Sequence, residues 1–164
     1  MLFGEIRQPA ADFLLIPGVS YENRKYIPIG YISKNIIASD LSRTIPNASP
    51  YLFGILTSRI HMTWVKYVCG RLESRYRYSN SIVYNNFPWP ENPTESQKPK
   101  VEAAANQVLE VRKQFPGSSL ADLYASVSRL TDSMEYDHCQ NLSAFSGSFS
   151  SHLSSNLSLY IRKI

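Results

Sequence analysis

Long apolar runs are missing from this chain. None approaches the roughly 20 residues that a membrane-spanning helix needs. The opening MLFGEIRQPAADFLLIPG carries Glu5 and Arg7 ahead of a short apolar piece that Asp12 interrupts, so it is not expected to act as a secretory signal. Cysteine is scarce: Cys69 and Cys139 alone give neither a disulfide framework nor a metal-ligand spacing, so a reducing, cytoplasmic setting is expected. Glycine never clusters, so no phosphate-cradling loop can form, and HExxH, CxxC and GxSxG are absent as well. No internal repeat interrupts the pattern.

What is present is enough for a core. The chain has 164 residues, 43% of them hydrophobic, which suits one domain or one domain with an appendage. Its net charge of +4 is unevenly spread. Residues 1–80 hold ten Lys/Arg against five Asp/Glu, residues 81–125 four against five, and residues 126–164 three against three. A basic excess confined to the first half points to an anionic partner, nucleic acid first.

Residues 12–33 alternate short apolar runs with turn residues. DFLLIPG reads as one strand, VSYENRKYIP as a stretch of strand character, and RKYIPIGYIS as a strand reaching Ser33 that is at an edge or bulged at Pro28. Ile36 and Ile37 suggest a third short strand. Ser49-Pro50 starts a helix, with a side-chain cap followed by a proline whose missing N–H costs nothing there. Leu52, Ile55, Leu56, Ile60, Trp64, Val65 and Val68 continue it at helical spacing to Gly70, leaving Ser58, Arg59, His61 and Lys66 off the apolar stripe.

After that helix, Arg71, Arg75 and Arg77 interleave with Tyr76 and Tyr78 in a loop, and Ile82-Val83-Tyr84 suggests a short strand. Tyr84 to Pro90 reads as a structural corner of rings and prolines. Its Asn86-Phe87-Pro88-Trp89 is superficially similar to the Asn-Pro-Pro-Tyr loop of amino-methyltransferases, but lacks the paired prolines. Thr94 to Phe115 reads as a second helix with Val101, Ala104, Ala105, Val108, Leu109 and Phe115 on one side, and SSLADLY as a capped helical turn. Eleven of residues 126–164 are serine, a composition that buries little, so a poorly ordered tail is expected.

No convergent acid–base or nucleophile set can be named. His61 reads as a surface or boundary residue and Cys69 as a small buried hydrophobe. The recognition chemistry is richer. Arginine forks match phosphate oxygens and tyrosines add hydroxyl donors or stacking surface, so Lys25, Arg71, Arg75, Tyr76, Arg77 and Tyr78 are candidate phosphate contacts. On a strand, Glu22 and Arg24 share a face. Arginine spans guanine O6 and N7 while glutamate accepts from cytosine N4, so the pair suits both halves of one C·G pair, at about 1–3 kcal/mol of discrimination per contact. The spacing leaves a second reading open, a solvated ion pair worth under about 1 kcal/mol.

Three stretches, ENRKYIPIGY, YLFGILTSRIHMTWVKYVCGRLESRYRYSNSIVYNNFPWP and QKPKVEAAANQVLEVRKQFPGSSLADLY, together resemble the C-terminal part of large bacterial MmeI-like DNA methyltransferases. These are single-chain restriction–modification enzymes of type IIG/IIL style. They join an adenine-N6 methyltransferase using S-adenosylmethionine, usually an endonuclease, and a target-recognition domain followed by a helical segment. The similarity covers residues 5–124. It implies an α+β fold in which a small β-sheet packs with a long helix. Residues 1–90 would be the C-terminal part of a target-recognition domain, 91–124 the helical segment and 125–164 a divergent tail.

By the same resemblance, Glu22 and Arg24 become base readers and double-stranded DNA the partner, with a methyltransferase domain or subunit as a second partner. The family's catalytic portions lie upstream of the matching stretches and would flip the target adenine, so this chain is expected to be a fragment that is inactive alone. Past Tyr124 the family continues with an Asp-Pro turn and another helix, where this sequence turns serine-rich. A shifted reading frame or a fused end would explain that. The competing expectation is a protein-interaction or scaffolding remnant whose positive charge is incidental.

Overall fold

Strand β1, Phe13–Pro17, is the centre of the first of two small antiparallel sheets. The structure, a computed structural model, describes residues 9–125, so the serine-rich tail beyond Ala125 lies outside the described residues. β1 pairs on one side with β3, Gly30–Ile32, and on the other with β4, Ser42–Pro46. Phe13, Leu14 and Ile16 are fully buried, so β1 is covered on both faces.

The chain then changes sheets at Gly18. Its N–H donates to the Leu41 carbonyl at 2.9 Å, closing the β1–β4 ladder, and its own carbonyl accepts from the Tyr78 N–H at 2.8 Å. A Cβ here would lie 2.1 Å from the Leu41 oxygen, so only glycine lets the three backbones meet. The second sheet follows at once, in the order β2–β6–β5: β2 is Val19–Ser20, β5 Gly70–Leu72 and β6 Arg75–Arg77.

The local helix signals act as their chemistry dictates. Ser49 Oγ accepts from the Leu52 N–H at 3.2 Å and Pro50 opens α1, Pro50–Leu56. The expected single helix to Gly70 is nevertheless two helices. Thr57 Oγ1 donates back to the Phe53 carbonyl at 2.8 Å and ends α1; Ser58 Oγ then accepts from the His61 N–H at 3.1 Å and caps α2, Arg59–Val68. Two adjacent hydroxyl residues thus compete with the backbone ladder and break it. Three other local expectations are also corrected. Ile36 and Ile37 lie exposed in a loop, β4 forms where none was foreseen, and Asn80–Tyr84 is a π-helical turn instead of a strand.

Tyr84 to Pro90 is the corner of packed rings that its composition suggested. Phe87 meets His61 at 4.7 Å, Trp64 at 6.2 Å and Trp89 at 4.9 Å, each edge to face. Trp64 Nε1 donates to the Val83 carbonyl at 3.0 Å, tying α2 to the turn.

α3, Gln97–Lys113, carries Pro99 in its first turn and buries Val101, Ala104, Ala105 and Val108. It crosses α1 at Gly54, where a Cβ would come within 2.7 Å of Val101 Cγ1 and 3.3 Å of Ala105 Cβ. Small residues on both helices bring the backbones together. α4, Leu120–Ala125, has the reciprocal cap foreseen in SSLADLY, with the Asp122 carboxylate accepting from the Ser119 hydroxyl at 2.6 Å and the Ser119 Oγ accepting from the Asp122 N–H at 3.2 Å. Arg112 clamps these helices to the sheet. It donates to the Ile29 carbonyl at 2.8 Å and to the Tyr124 hydroxyl, with its guanidinium 5.2 Å from the Phe53 and Tyr124 ring centres. The fold is α+β.

Candidate nucleic-acid interface

β2 ends at Ser20, and residues 21–29 are turn and irregular structure. Glu22 and Arg24 therefore do not share a strand face, as the alternation of VSYENRKYIP suggested. They sit in a tight turn closed by the Arg24 N–H on the Tyr21 carbonyl at 3.2 Å. The reason is pairing: β2 finds only the short β6 beside it, and beyond Ser20 no neighbouring ladder supplies partners. The two side chains take different directions. Glu22 Oε1 accepts from the Ser74 hydroxyl at 2.7 Å, while the Arg24 guanidinium lies over the Tyr21 ring, 5.3 Å from its centre. Tyr21 is 57% exposed.

The stretch from Gly70 to Arg77, expected as a loop, is a β-hairpin. Its register places Arg71 opposite Tyr76, Leu72 opposite Arg75 and Gly70 opposite Arg77. At the tip, Glu73 adopts a left-handed φ of 58°. Opposed residues of an antiparallel pair project to the same face, and residues two apart on one strand share a face. Arg71 therefore lies with Tyr76 and Ser20, and Arg75 and Arg77 project from the other side with Val19 and Leu72.

That parity corrects the expected set of phosphate contacts. Tyr76 is 5% exposed and Tyr78 is 1% exposed, so neither ring is available to stack on a ligand. Arg71 lies over the Tyr76 ring at 4.1 Å and donates to the Ser74 carbonyl at 3.2 Å and the Lys66 carbonyl at 3.3 Å. It braces the hairpin tip and is not part of the Arg75–Arg77 face. Arg75 pairs with Glu73 at 2.6 Å, while Arg77 and Lys25 are exposed. The interleaving in Arg75-Tyr76-Arg77 is thus the two-residue period of a strand, with the ring inward and these two guanidinium groups outward.

Tyr78 has an internal partner. Its hydroxyl lies 3.1 Å from His61 Nε2. His61, 1% exposed, is a core residue and not the boundary residue expected from the helical wheel. Within α2 it stands three and four residues before Trp64 and Val65, on the face that this helix buries. Burial pushes its pKa down to about 3, so the ring is neutral at ordinary pH, and burial pushes the Tyr78 hydroxyl up. Cys69 is buried, and burial raises its thiol, as suits a structural residue.

Electrostatically the turn and the hairpin act on each other. The Ser74 hydrogen bond holds the Glu22 carboxyl below the usual carboxylate range; its own backbone amide and the charges of Arg71 and Arg75 add to this, against partial desolvation. Glu22 Oε2 is enclosed. Sequence reasoning missed Ser74 and Tyr21, because contact between residues 22 and 74 depends on a β2–β6 pairing that leaves no local signature. Among the described residues no group of three or more His, Cys, Asp or Glu could hold a metal ion. Among the described residues no helix is long and apolar enough to cross a membrane.

Comparison with known proteins places this geometry. DNA methyltransferase A of Bacillus subtilis (strain 168) is 48% identical over 111 residues, which are 68% of this chain and 12% of that protein. A solved structure of the type IIL restriction-modification enzyme MmeI in complex with DNA is 47% identical, with a TM-score of 0.76, over 84% of this chain and 18% of that one. The chain thus spans less than a fifth of either relative. Residues 93–136 match the MmeI C-terminal domain. Residues 1–91, more than half the chain, match the MmeI target recognition domain, and the chain belongs to that family.

Proposed function

We propose that this chain recognises a target site on double-stranded DNA. Arg24, Arg75 and Arg77, with Lys25, meet the duplex, and catalysis resides elsewhere in a larger enzyme. The observation that carries this is the joining of two distant basic segments. β2 and β6 are neighbours, so the turn at 21–24 and the hairpin at 70–77 form one continuous surface. Arginine on such a surface gives fork-like phosphate contacts and groove contacts from the same side chain type. That the solved relative of this fold is held in complex with DNA supports the reading.

Within that surface, Arg24 is assigned to guanine O6 and N7, and Glu22, on leaving Ser74, to cytosine N4 of the same pair. Arg77 contacts a phosphate directly, and Arg75 does so on leaving Glu73. Residues 93–125 act as a brace, since Arg112 holds the Ile29 carbonyl just after the recognition turn.

Methyl transfer from S-adenosylmethionine would be supplied by a methyltransferase domain or subunit, with cytoplasmic DNA as the setting. No group among the described residues fits that cofactor: no glycine-rich turn opens a helix after a strand. The test is selection from a pool of random-sequence duplexes. The wild-type chain is expected to enrich one sequence, and the exchange Glu22→Lys with Arg24→Asp to change the preferred base at one position only. An unchanged preference refutes the base-reading assignment.

A further inference from the structure

We propose that Glu73, at the tip of the β5–β6 hairpin, is a further specificity-determining residue. Its exposed carboxylate accepts an amino donor from a base in the major groove, cytosine N4 or adenine N6, and in doing so releases Arg75 to a phosphate. The inference rests on the reading of the hairpin as a DNA-facing surface and is independent of the role given to Glu22.

Three observations carry it. Glu73 and Ser74 form the two-residue turn between β5 and β6, and Glu73 has a φ of 58°. Glycine or asparagine takes that conformation readily, whereas glutamate must hold its Cβ close to the following carbonyl. A turn chosen for folding alone would place glycine here. The side chain, moreover, is open. Glu73 is 75% exposed and Arg75 32%, with Arg75 Nη2 donating to Glu73 Oε2 at 2.6 Å. An exposed ion pair adds little to stability, less than a left-handed φ costs a residue with a side chain, so the pair does not account for glutamate at this position. Finally, the tip adjoins the recognition turn, because the next residue, Ser74, donates to Glu22 Oε1 at 2.7 Å. Glu73 thus stands at the end of a two-stranded ribbon, an element that the major groove admits, beside the turn at 21–24.

The physical consequence is an exchange of partners. An ionised carboxylate only accepts, so it meets a base edge favourably where an amino group projects. Such a donor takes the place of Arg75 at Oε2, and the released guanidinium is then at hand for a phosphate oxygen. A base presenting guanine O6 or thymine O4 sets one acceptor against another. Glu73 then keeps Arg75, and the phosphate contact is not made. Base identity and one phosphate contact are thereby coupled through a single ion pair.

The experiment uses the full 164-residue chain. Selection from random duplexes is run with the wild type and with Glu73→Gly, which suits the left-handed φ and keeps the turn. The wild type is expected to enrich a second position besides the one altered by Glu22→Lys with Arg24→Asp. Glu73→Gly is expected to weaken the preference at that second position by at least about fivefold and to leave the others unchanged. Denaturant unfolding of Glu73→Gly is expected at no lower concentration than for the wild type, which separates lost preference from lost folding. A salt series then reads the coupling. On the preferred duplex the wild-type log–log slope is expected to be steeper by about 0.9 than on a duplex with the second base pair inverted, and in Glu73→Gly the two slopes are expected to coincide. A Glu73→Gly preference identical to the wild type at every position overturns the role of Glu73 and leaves the DNA-facing surface standing. Equal wild-type slopes on the two duplexes overturn the release of Arg75. A wild-type chain whose binding to duplex selects no base and ignores salt overturns the reading of the surface, and with it this proposal.

Discussion

Replacing Arg77 by alanine removes an exposed guanidinium from the outer face of the hairpin. Each phosphate neutralised by a bound protein releases counterions, so the log of affinity falls with the log of salt at a slope of about −0.9 per contact. Between about 50 and 200 mM salt, one contact therefore changes affinity three- to fourfold. The structure ranks the three arginines. Arg77 is exposed on the Arg75 face, so Arg77→Ala is expected to flatten the slope by about 0.9. Arg75 is tied to Glu73 at 2.6 Å and must leave it to reach a phosphate, so adding Arg75→Ala brings the total to at most about 1.8. Arg71 lies on the opposite face with its N–H groups on two carbonyls, so Arg71→Ala is expected to leave the slope alone. The assay is fluorescence anisotropy of a short labelled duplex across a salt series. A slope that falls with Arg71→Ala and not with Arg77→Ala would refute the assignment of faces.

Two further outcomes follow from the core. His61 is neutral when folded, with a pKa near 3, and regains its ordinary value of 6.5 when unfolded. The unfolded chain therefore binds the extra proton between these limits. Stability is expected to fall with acidification from pH 6.5 toward 3, by at most about 1.4 kcal/mol per pH unit. Denaturant unfolding of His61→Gln between pH 6.5 and 5, above the Glu22 titration, should show this slope removed; an unaltered slope would mean that His61 is not the group responsible. Gly54→Ala places a Cβ 2.7 Å from Val101 Cγ1 at the crossing of α1 and α3 and is expected to cost about 1–3 kcal/mol. Pairing it with Val101→Ala should recover part of that loss, and the absence of any recovery would place the strain elsewhere.

Much of the local structure was legible in the residues themselves. Ser49-Pro50, Ser119 with Asp122, and the ring-and-proline run from Tyr84 to Pro90 form what their chemistry requires, because a cap or a rigid corner is decided within three or four residues. The apolar face of α3 was equally plain, since Val101, Ala104, Ala105 and Val108 repeat at helical spacing. The α+β character was implied by the resemblance to MmeI-like methyltransferases, and it is the fold observed.

The arrangement of the basic surface was not decided at that range. The same alternation in Arg75-Tyr76-Arg77-Tyr78 suits a solvated loop or an amphipathic strand, and only pairing with β2 and β5 buries the rings and turns Arg71 away from Arg75 and Arg77. Likewise Thr57 and Ser58 fit a continuous helix by spacing, yet their hydroxyls end one helix and start another, and His61 packs against Tyr78 from the second of them. The sequence by itself determined the caps, the corner, the helical face and where positive charge is concentrated. Tertiary structure alone decided which side that charge faces and that Glu22 meets Ser74, because strand parity and long-range pairing are fixed by partners some fifty residues away.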